Sequence, residues 1–528
     1  MIYEKFDKLM SRMIDDLKVV CMQAGLSNQA SEEKVVTTVL LYKFLDAKKD
    51  FLPEEYSIQS LIDVHEQSNS NATLDQLSFA DRFDQWISNI ACLIENIFAE
   101  LSVNDNNDVY DPVLVPISQF ALKENRDFFI ENVFKIISSP DYNLDDVTEE
   151  TNQFDFFSSV FEYMIHDHNT AAGVYAEYFT PQVISKIIGE ILASMMKDDE
   201  RDNISIYDPS VGAGSLILHL DNALKREGYK TAIYSQDISQ KSTYFFKLNV
   251  LLNGLYEEPL HIAQGDTLYS PTHCEHDDLK HFDIITSNPP FKLDFSATRN
   301  LIAEKWKNTD RFFAGVPNIP NKKKESMAIY LMFIQHIMYS MSETGKAAIV
   351  VPTSFLSART SWENRIKKRM ISENLLAGII TMPARVFANT TTKVSVIFLD
   401  KNKCDDSVYL LDASEIGTLD KVGKTKRVVL SSEEVEQIID FYINKTEQHQ
   451  FSIAATAAEI EENGYNLMAG QYFAPEFNFS PKSENDFRAE LMECLIQLDE
   501  LEFERRSIEE DCGEFMMELR NLYGGSGK

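Results

Sequence analysis

Between residues 200 and 402 the chain repeats one pattern: a short run of β-branched and apolar residues, a turn, then a stretch with helical spacing. The runs are ISIYDPS, TAIYSQD, LHIAQGD, FDIITSNPP, GKAAIVVPT, LAGIITMP and VSVIFLD. Strands separated by helices join through crossovers rather than tight hairpins, so the runs predict a mostly parallel, seven-stranded sheet covered by helices on both faces, an α/β fold. In open sheets of this kind, ligands bind beyond the carboxyl ends of the strands. Several of these runs end in an acid or in Asn-Pro-Pro.

The flanks have a different texture. Ile2, Phe6, Leu9, Met13, Leu17 and Val20 recur at helical spacing, and no strand pattern persists through residues 1–150, which predicts a helical N-terminal domain. A sheet domain over 151–402 and a mixed extension over 403–480 follow. From 481 to 523 the apolar positions step by three and four without a break: Leu491, Cys494, Leu498, Leu501, Arg505, Ile508, Cys512, Phe515, Leu519 and Leu522. Only Arg505 interrupts the seam, which is the period of coiled-coil packing or of a helix folded back on its own domain. The last five residues, 524–528, read as a flexible tail.

With 528 residues and 44% apolar side chains there is enough material for several substantial cores. No apolar run reaches the length of a membrane span and the start, MIYEKFDKLMSR, mixes charges unlike a signal peptide, so the expected location is cytoplasmic, with no membrane partner. The six cysteines are scattered and form no C-x-x-C, which argues against a disulfide framework or a zinc ribbon. His273, Cys274, His276 and His281 make the one dense ligand-like patch. It reads as a polar loop before a strand, and no metal is expected.

The net charge of −33 argues against general attraction to nucleic acid over the whole surface. Residues 1–150 hold 28 acids against 12 bases. The middle of the chain is less acidic, and its bases fall in three clusters: NKKKES at 321–326, NRIKKRM at 364–370 and KVGKTKR at 421–427. These are compatible with a nucleic-acid track.

The chemistry collects at the strand ends. The first strand runs into YDPSVGAG, where Asp208 precedes Gly212 and Gly214, and such a turn lets backbone approach a ligand closely. It is not the dinucleotide fingerprint, whose third glycine is replaced by Ile217, and no P-loop is present. Asp237 at the next strand tip is placed to accept hydrogen bonds from a ribose, and Asp266 ends the strand after it. Together they describe a nucleoside pocket. The fourth strand ends in Asn288-Pro289-Pro290-Phe291. Proline cannot donate to a strand ladder and biases the residue before it toward extended geometry, so this corner is stiff and fixes the directions of the Asn288 side chain and the neighbouring carbonyls.

AEYFTP (176–181), DPSVGAG (208–214), SQD (235–237), GDTL (265–268) and NPPF (288–291) stand in the order found in amino-group DNA adenine methyltransferases. The chain most resembles the modification subunit of type I restriction-modification systems, strongly over about 150–402 and in general character at both ends. The resemblance implies a Rossmann-like methyltransferase core and S-adenosyl-L-methionine as cofactor. By similarity, Ala176, Glu177, Tyr178, Phe179, Thr180 and Pro181 form the segment whose last four residues line the cofactor's methionine end. Asp208, Gly212, Ala213, Gly214 and Ser215 form the turn that holds it, Asp237 takes the ribose hydroxyls and Asp266 the adenine amino group. The chain departs from the family pattern with Ala176 for glycine, Ser215 and Leu216 for Gly-Phe, and Ser235 and Asp237 for Gly and Glu, changes that bear on cofactor affinity.

The resemblance further implies that Asn288, Pro289, Pro290 and Phe291 carry catalysis: the Asn288 oxygen and the Pro289 carbonyl accept from the amino group of a flipped adenine, and Phe291 stacks on the base, with Phe387 as a second stacking face. No cysteine follows a proline, so the nucleophile of carbon-5 cytosine methylation is absent. The implied partners are DNA, a separate specificity subunit bound by two modification subunits, and a motor-nuclease restriction subunit. The residues alone leave open a stand-alone adenine methyltransferase of another phage-defence system, an RNA or protein acceptor, and a silent DNA-binding scaffold.

Overall fold

The structure is a computed structural model that describes residues 2–26, 29–47, 52–70, 77–100, 114–143, 180–197, 199–255, 259–276, 278–387, 392–422, 425–474 and 484–523. The chain divides into two compact units, residues 1–473 and 474–528.

The centre of the first unit is a nine-stranded sheet. In chain order its strands are β1 (Asn203–Asp208), β2 (Lys230–Asp237), β3 (Leu260–Gln264), β6 (Phe282–Ser287), β7 (Met341–Pro352), β8 (Leu376–Thr381), β9 (Val394–Asp400), β10 (Ser407–Asp412) and β13 (Ser452–Thr456). Across the sheet they run β13-β10-β8-β9-β7-β6-β1-β2-β3. Two small hairpins lie outside it, β4 (Cys274–Glu275) with β5 (Asp278–Leu279), and β11 (Thr418–Val422) with β12 (Thr425–Val429). The expected seven strands are all present. The sheet is wider than expected because the 403–480 segment adds β10, parallel to β8, and β13, antiparallel to β10, at one edge. β9 runs antiparallel between β7 and β8, while β1, β2, β3, β6 and β7 are parallel.

Both faces of the sheet are buried, and successive residues alternate between two cores as the strand period of two demands. Ile206, Ile284, Ala348, Val350, Ile380 and Phe398 face a core shared with the helices Gln182–Ser194, Ser215–Arg226 and Ser432–Ile443. Tyr207, Ile285, Ile349, Val351, Ile379 and Ile397 face the core of the helices Tyr330–Ser340 and Ser361–Ser372. Each fully buried Ile or Val contributes roughly 1.5–3 kcal/mol of transfer free energy.

The N-terminal region is helical in its described residues: Ile2–Gln23, Gln29–Ala47, Ile58–Ser70, Phe79–Glu100 and Arg126–Ile137. Met13, Leu17 and Val20 are buried, as their spacing predicts. These helices share one core with Tyr244, Phe245, Leu248, Leu251 and Leu252 of the helix Gln240–Leu252, and with Ala213 of the turn after β1. The N-terminal bundle is therefore seated directly behind that turn. In the second unit, Glu484–Tyr523 is one helix of 40 residues, and Leu491, Cys494, Leu498, Leu501, Arg505, Ile508 and Cys512 of its seam are exposed.

Candidate active site

β1 leads to β2 and β3 on one side of the sheet and is flanked by β6 on the other, so the strand order reverses between β1 and β6. A crevice opens at such a switch point beyond the carboxyl ends of the strands. Here Asp208 ends β1 and Asn288 follows β6, and the Ser210 and Ser287 hydroxyls join the two tips at 2.7 Å.

The crevice is a cavity of about 370 Å³, within the usual range for a small-molecule site. Of the residues expected to hold a cofactor, Thr180, Asp208, Gly212, Asp237 and Asp266 line it, and Asn288 and Pro290 form its edge. Pro181 is buried at the start of the Gln182–Ser194 helix, and Pro289 is buried behind the corner; neither lines the cavity. Ala176, Glu177, Tyr178 and Phe179 lie outside the described residues. Phe291 and Phe387 are half-buried, and each packs against the core beneath the sheet.

Ala213, Gly214 and Ser215 shape the turn rather than the cavity wall. The Ala213 carbonyl accepts from the Asn249 amide at 2.9 Å, and Ser215 is buried at the start of its helix. Gly214 has φ +92°, and a Cβ there would overlap the Phe246 ring. The glycine is thus required by a close approach to Phe246 of the helix Gln240–Leu252 as well as by its left-handed backbone.

The acids are held by backbone. Asp237 Oδ2 accepts from Gly212 N at 2.9 Å and Oδ1 from Ser239 N at 2.8 Å, tying the tip of β2 to the glycine turn. Asp208 Oδ1 accepts from Ser210 N at 2.9 Å. Burial raises the Asp208 carboxyl well above the usual range, against the Ser210 N–H and with the Asp237 charge adding to the rise. Burial also raises Asp237, against its two N–H partners. Asp266 Oδ1 accepts from Leu268 N and Tyr269 N, and Oδ2 has no partner among the described residues. Leu216, Ile238, Phe295, Ile329 and Phe333 supply apolar wall. A flat heterocycle against these side chains, hydroxyls at Asp237 and an amino group at Asp266 fit what the residues offer, so the donor set suits S-adenosylmethionine.

At the edge, Asn288 Nδ2 donates to Thr180 Oγ1 at 3.0 Å, which leaves Asn288 Oδ1 as an acceptor. Thr180 is buried and Asn288 half-buried.

Sequence reasoning missed the far wall. Leu293–Thr298 and Ile302 fold back over the cavity from the segment after Phe291, and no local pattern marks them. It also missed Arg311, whose side chain is wholly buried. Its guanidinium donates to Thr267 O at 2.8 Å, Leu268 O at 3.0 Å and His336 Nδ1 at 3.2 Å, and lies 4.2 Å from the Trp306 ring centroid. Burial pushes its pKa down to about 10. His336 is kept neutral, well below its ordinary value, by burial first and by the Arg311 charge second, and its Nε2 lies 3.3 Å from the Tyr207 hydroxyl. A buried polar chain thus runs from β1 to the loop that carries Asp266. The aromatic residues around Arg311 in KWKNTDRFF were the available signal.

His273 sits edge-on to Tyr207, Tyr234 and Phe282 with Nε2 3.0 Å from Ser235 O, and Cys274 and His276 are exposed. Among the described residues no group of His, Cys, Asp or Glu is arranged to hold a metal.

A mostly parallel sheet with a nucleoside-type cavity at its switch point and an Asn-Pro-Pro corner beside it defines the class of amino-group methyltransferases. Residues 152–478 match the family described as N-6 DNA Methylase, and the chain belongs to that family. It is 27% identical, over 70% of its length and 66% of the relative's, to the type I restriction enzyme MpnII methylase subunit of Mycoplasma pneumoniae, and so spans just under two thirds of that protein. It is 25% identical to the type I restriction enzyme HindI methylase subunit of Haemophilus influenzae, over 83% of this chain and 93% of that one. The methyltransferase subunit of a type I restriction-modification system from Streptococcus thermophilus shares the fold, with a TM-score of 0.63 at 20% identity over 89% of this chain and 99% of that one.

Proposed function

We propose that this chain is the modification subunit of a cytoplasmic type I restriction-modification system, a site-specific DNA N6-adenine methyltransferase. The observation that carries the reading is the Asn288–Thr180 pair at the edge of a cleft lined by Asp237 and Asp266. S-adenosylmethionine in that cleft supplies a methyl group on a positively charged sulfur. Asp237 receives the ribose hydroxyls and Asp266 Oδ2 the adenine amino group, while Thr180 borders the end nearest Asn288.

An exocyclic amino nitrogen of adenine is a weak nucleophile because its lone pair is delocalised into the ring. Asn288 Oδ1 and the Pro289 carbonyl accept its two N–H bonds, return electron density to nitrogen and orient it toward the cleft. Thr180 and the two prolines keep both acceptors still. Phe291, with Phe387 as a second face, stacks on the base, whose extrusion from the duplex costs a few kcal/mol.

Target choice is assigned to a separate specificity subunit, gripped by the seam of the long helix with two modification subunits to one partner, and a motor-nuclease subunit completes the assembly. Methylation-sensitive sequencing of DNA from cells expressing the chain alone, with its specificity partner, and with Asn288→Ala in that pair tests the reading. N6-methyladenine in a bipartite motif only in the intact pair is expected. Labelled methyl transfer to RNA or protein but not to DNA would overturn it.

A further inference from the structure

Three basic clusters stand out against a net charge of −33, and the structure separates them. In the second, Lys367 is buried and donates to Leu356 O at 3.0 Å and Ala358 O at 2.7 Å, Arg365 donates to Ala314 O at 3.1 Å, and Arg369 pairs with Asp310 and Glu373. Lys368 lies 5.1 Å from the Tyr465 ring centroid. That cluster is consumed in holding the fold. The lysine side chains of the third lie outside the described residues. In the first, Lys322, Lys323 and Lys324 are all exposed, and among the described residues none of their ammonium groups pairs with a carboxylate.

The lysine turn is also fixed in place beside the catalytic corner. Lys323 adopts φ +58°, and its carbonyl accepts from both the backbone N–H and the hydroxyl of Ser326, at 2.9 and 2.7 Å. Met327 then enters the core formed with Phe295, Ile329 and Phe333, three residues that line the cleft. Its carbonyl accepts from Leu293 N at 3.1 Å, two residues past Phe291. The Asp294 carboxyl on the cleft wall is held below its usual range by Ser296 first, and the Lys324 charge adds to this.

We propose that Lys322, Lys323 and Lys324 form a phosphate-binding turn that grips the phosphodiester backbone of the nucleic-acid strand whose base enters the Asn288 corner. Three exposed cations on a fixed turn, adjoining the loop that leaves the catalytic corner, suit a polyanion presented at that mouth. The inference rests on the methyltransferase reading and adds the element that places the strand.

The test uses the full chain with saturating S-adenosylhomocysteine and a fluorescent adenine-containing DNA duplex, titrated by anisotropy over a series of KCl concentrations. Lys322→Gln/Lys323→Asn/Lys324→Gln is compared with wild type and with Lys368→Gln, asparagine being chosen at 323 because it tolerates left-handed backbone. Each phosphate contact contributes about 0.9 to the slope of log affinity against log salt, so the triple variant is expected to flatten that slope by about one to three and to bind at least fivefold more weakly at low salt. S-adenosylhomocysteine affinity stays within twofold, and Lys368→Gln behaves as wild type. An unchanged slope, an equal loss in Lys368→Gln, or a wild type that binds S-adenosylhomocysteine but no DNA overturns the assignment of the lysine turn. A wild type that does not bind S-adenosylhomocysteine overturns the cofactor reading itself, and the inference falls with it.

Discussion

The Asn288 amide nitrogen donates to the buried Thr180 hydroxyl at 3.0 Å, linking the residue after β6 to one 108 positions earlier in the chain. In the proposed mechanism the contact orients an acceptor oxygen without touching the base. Thr180→Val keeps the shape and removes the hydrogen bond, and the misdirected amide should lower turnover roughly tenfold to a hundredfold. S-adenosylhomocysteine affinity should change by no more than about threefold, the size of one lost neutral contact. Single-turnover kinetics beside calorimetric binding separate the two, and full turnover in the valine variant would rule out the orienting role. Asn288→Ala should be about 10³-fold slower, since it removes an acceptor made for the reacting group.

Arg311 holds the Thr267 and Leu268 carbonyls next to Asp266. In Arg311→Met the loop loses both donors, and S-adenosylhomocysteine binding should weaken roughly tenfold or more. The positioning role has its own signature: preference for S-adenosylhomocysteine over its inosine analogue, which lacks the amino group, should shrink as Asp266 drifts. Arg311→Lys should not rescue it, because an ammonium cannot span two carbonyls and a ring face as a planar fork does. Equal weakening toward both ligands would make Arg311 merely structural.

The strand-tip residues Asp208, Asp237, Asp266 and Asn288 were legible because each follows its own apolar run, and the switch-point rule then gathers them. What was not legible is whatever another part of the chain decides. β10 joins the sheet by pairing with β8, and β13 then pairs with β10 although a helix and a hairpin separate Ser407–Asp412 from Ser452–Thr456. Gly214 reads as a ligand-approach glycine until Phe246 is seen packed against it. The far wall at Leu293–Thr298 and the anchor at Arg311 exist only because the segment after Phe291 folds back over the cleft.

Gly214→Ala tests that packing. The substitution meets both a left-handed backbone and the Phe246 ring, and should destabilise the fold by about 2–4 kcal/mol. Combining it with Phe246→Ala relieves the overlap, so denaturant unfolding of the double variant should fall short of the summed losses by roughly 1 kcal/mol or more. Strict additivity would mean that backbone geometry alone demands the glycine.

His273 gives a stability change with a defined sign. Burial lowers its pKa from the ordinary histidine value of 6.5 to about 4, so the folded state binds fewer protons than the unfolded state between those values. Stability from this group is complete above about pH 6.5 and is lost as pH falls toward 4, at up to about 1.4 kcal/mol per unit. His273→Phe keeps the aromatic packing and cannot titrate. The difference in unfolding free energy between wild type and variant should therefore move in the variant's favour on acidification from pH 7 to 4.5. Asp208 and Asp237, whose raised values act in the opposite direction, cancel in that difference. A pH-independent gap would show that His273 titrates alike in both states.

The long helix offers the partner test. Leu498 and Leu501 are 58% and 65% exposed in the chain, an arrangement that leaves apolar seam positions in water unless another helix covers them. Burying a leucine is worth roughly 1.5–3 kcal/mol, so Leu498→Asp with Leu501→Asp should weaken association with the proposed specificity subunit by at least about a hundredfold. Arg505, the one polar member of the described seam, would fix the register, and Arg505→Leu should strengthen association while relaxing its stoichiometry. Co-purification and native mass spectrometry read both effects, with S-adenosylhomocysteine binding as the control for an intact sheet unit. Undiminished co-purification of the double aspartate variant would place the partner's contact elsewhere on the chain.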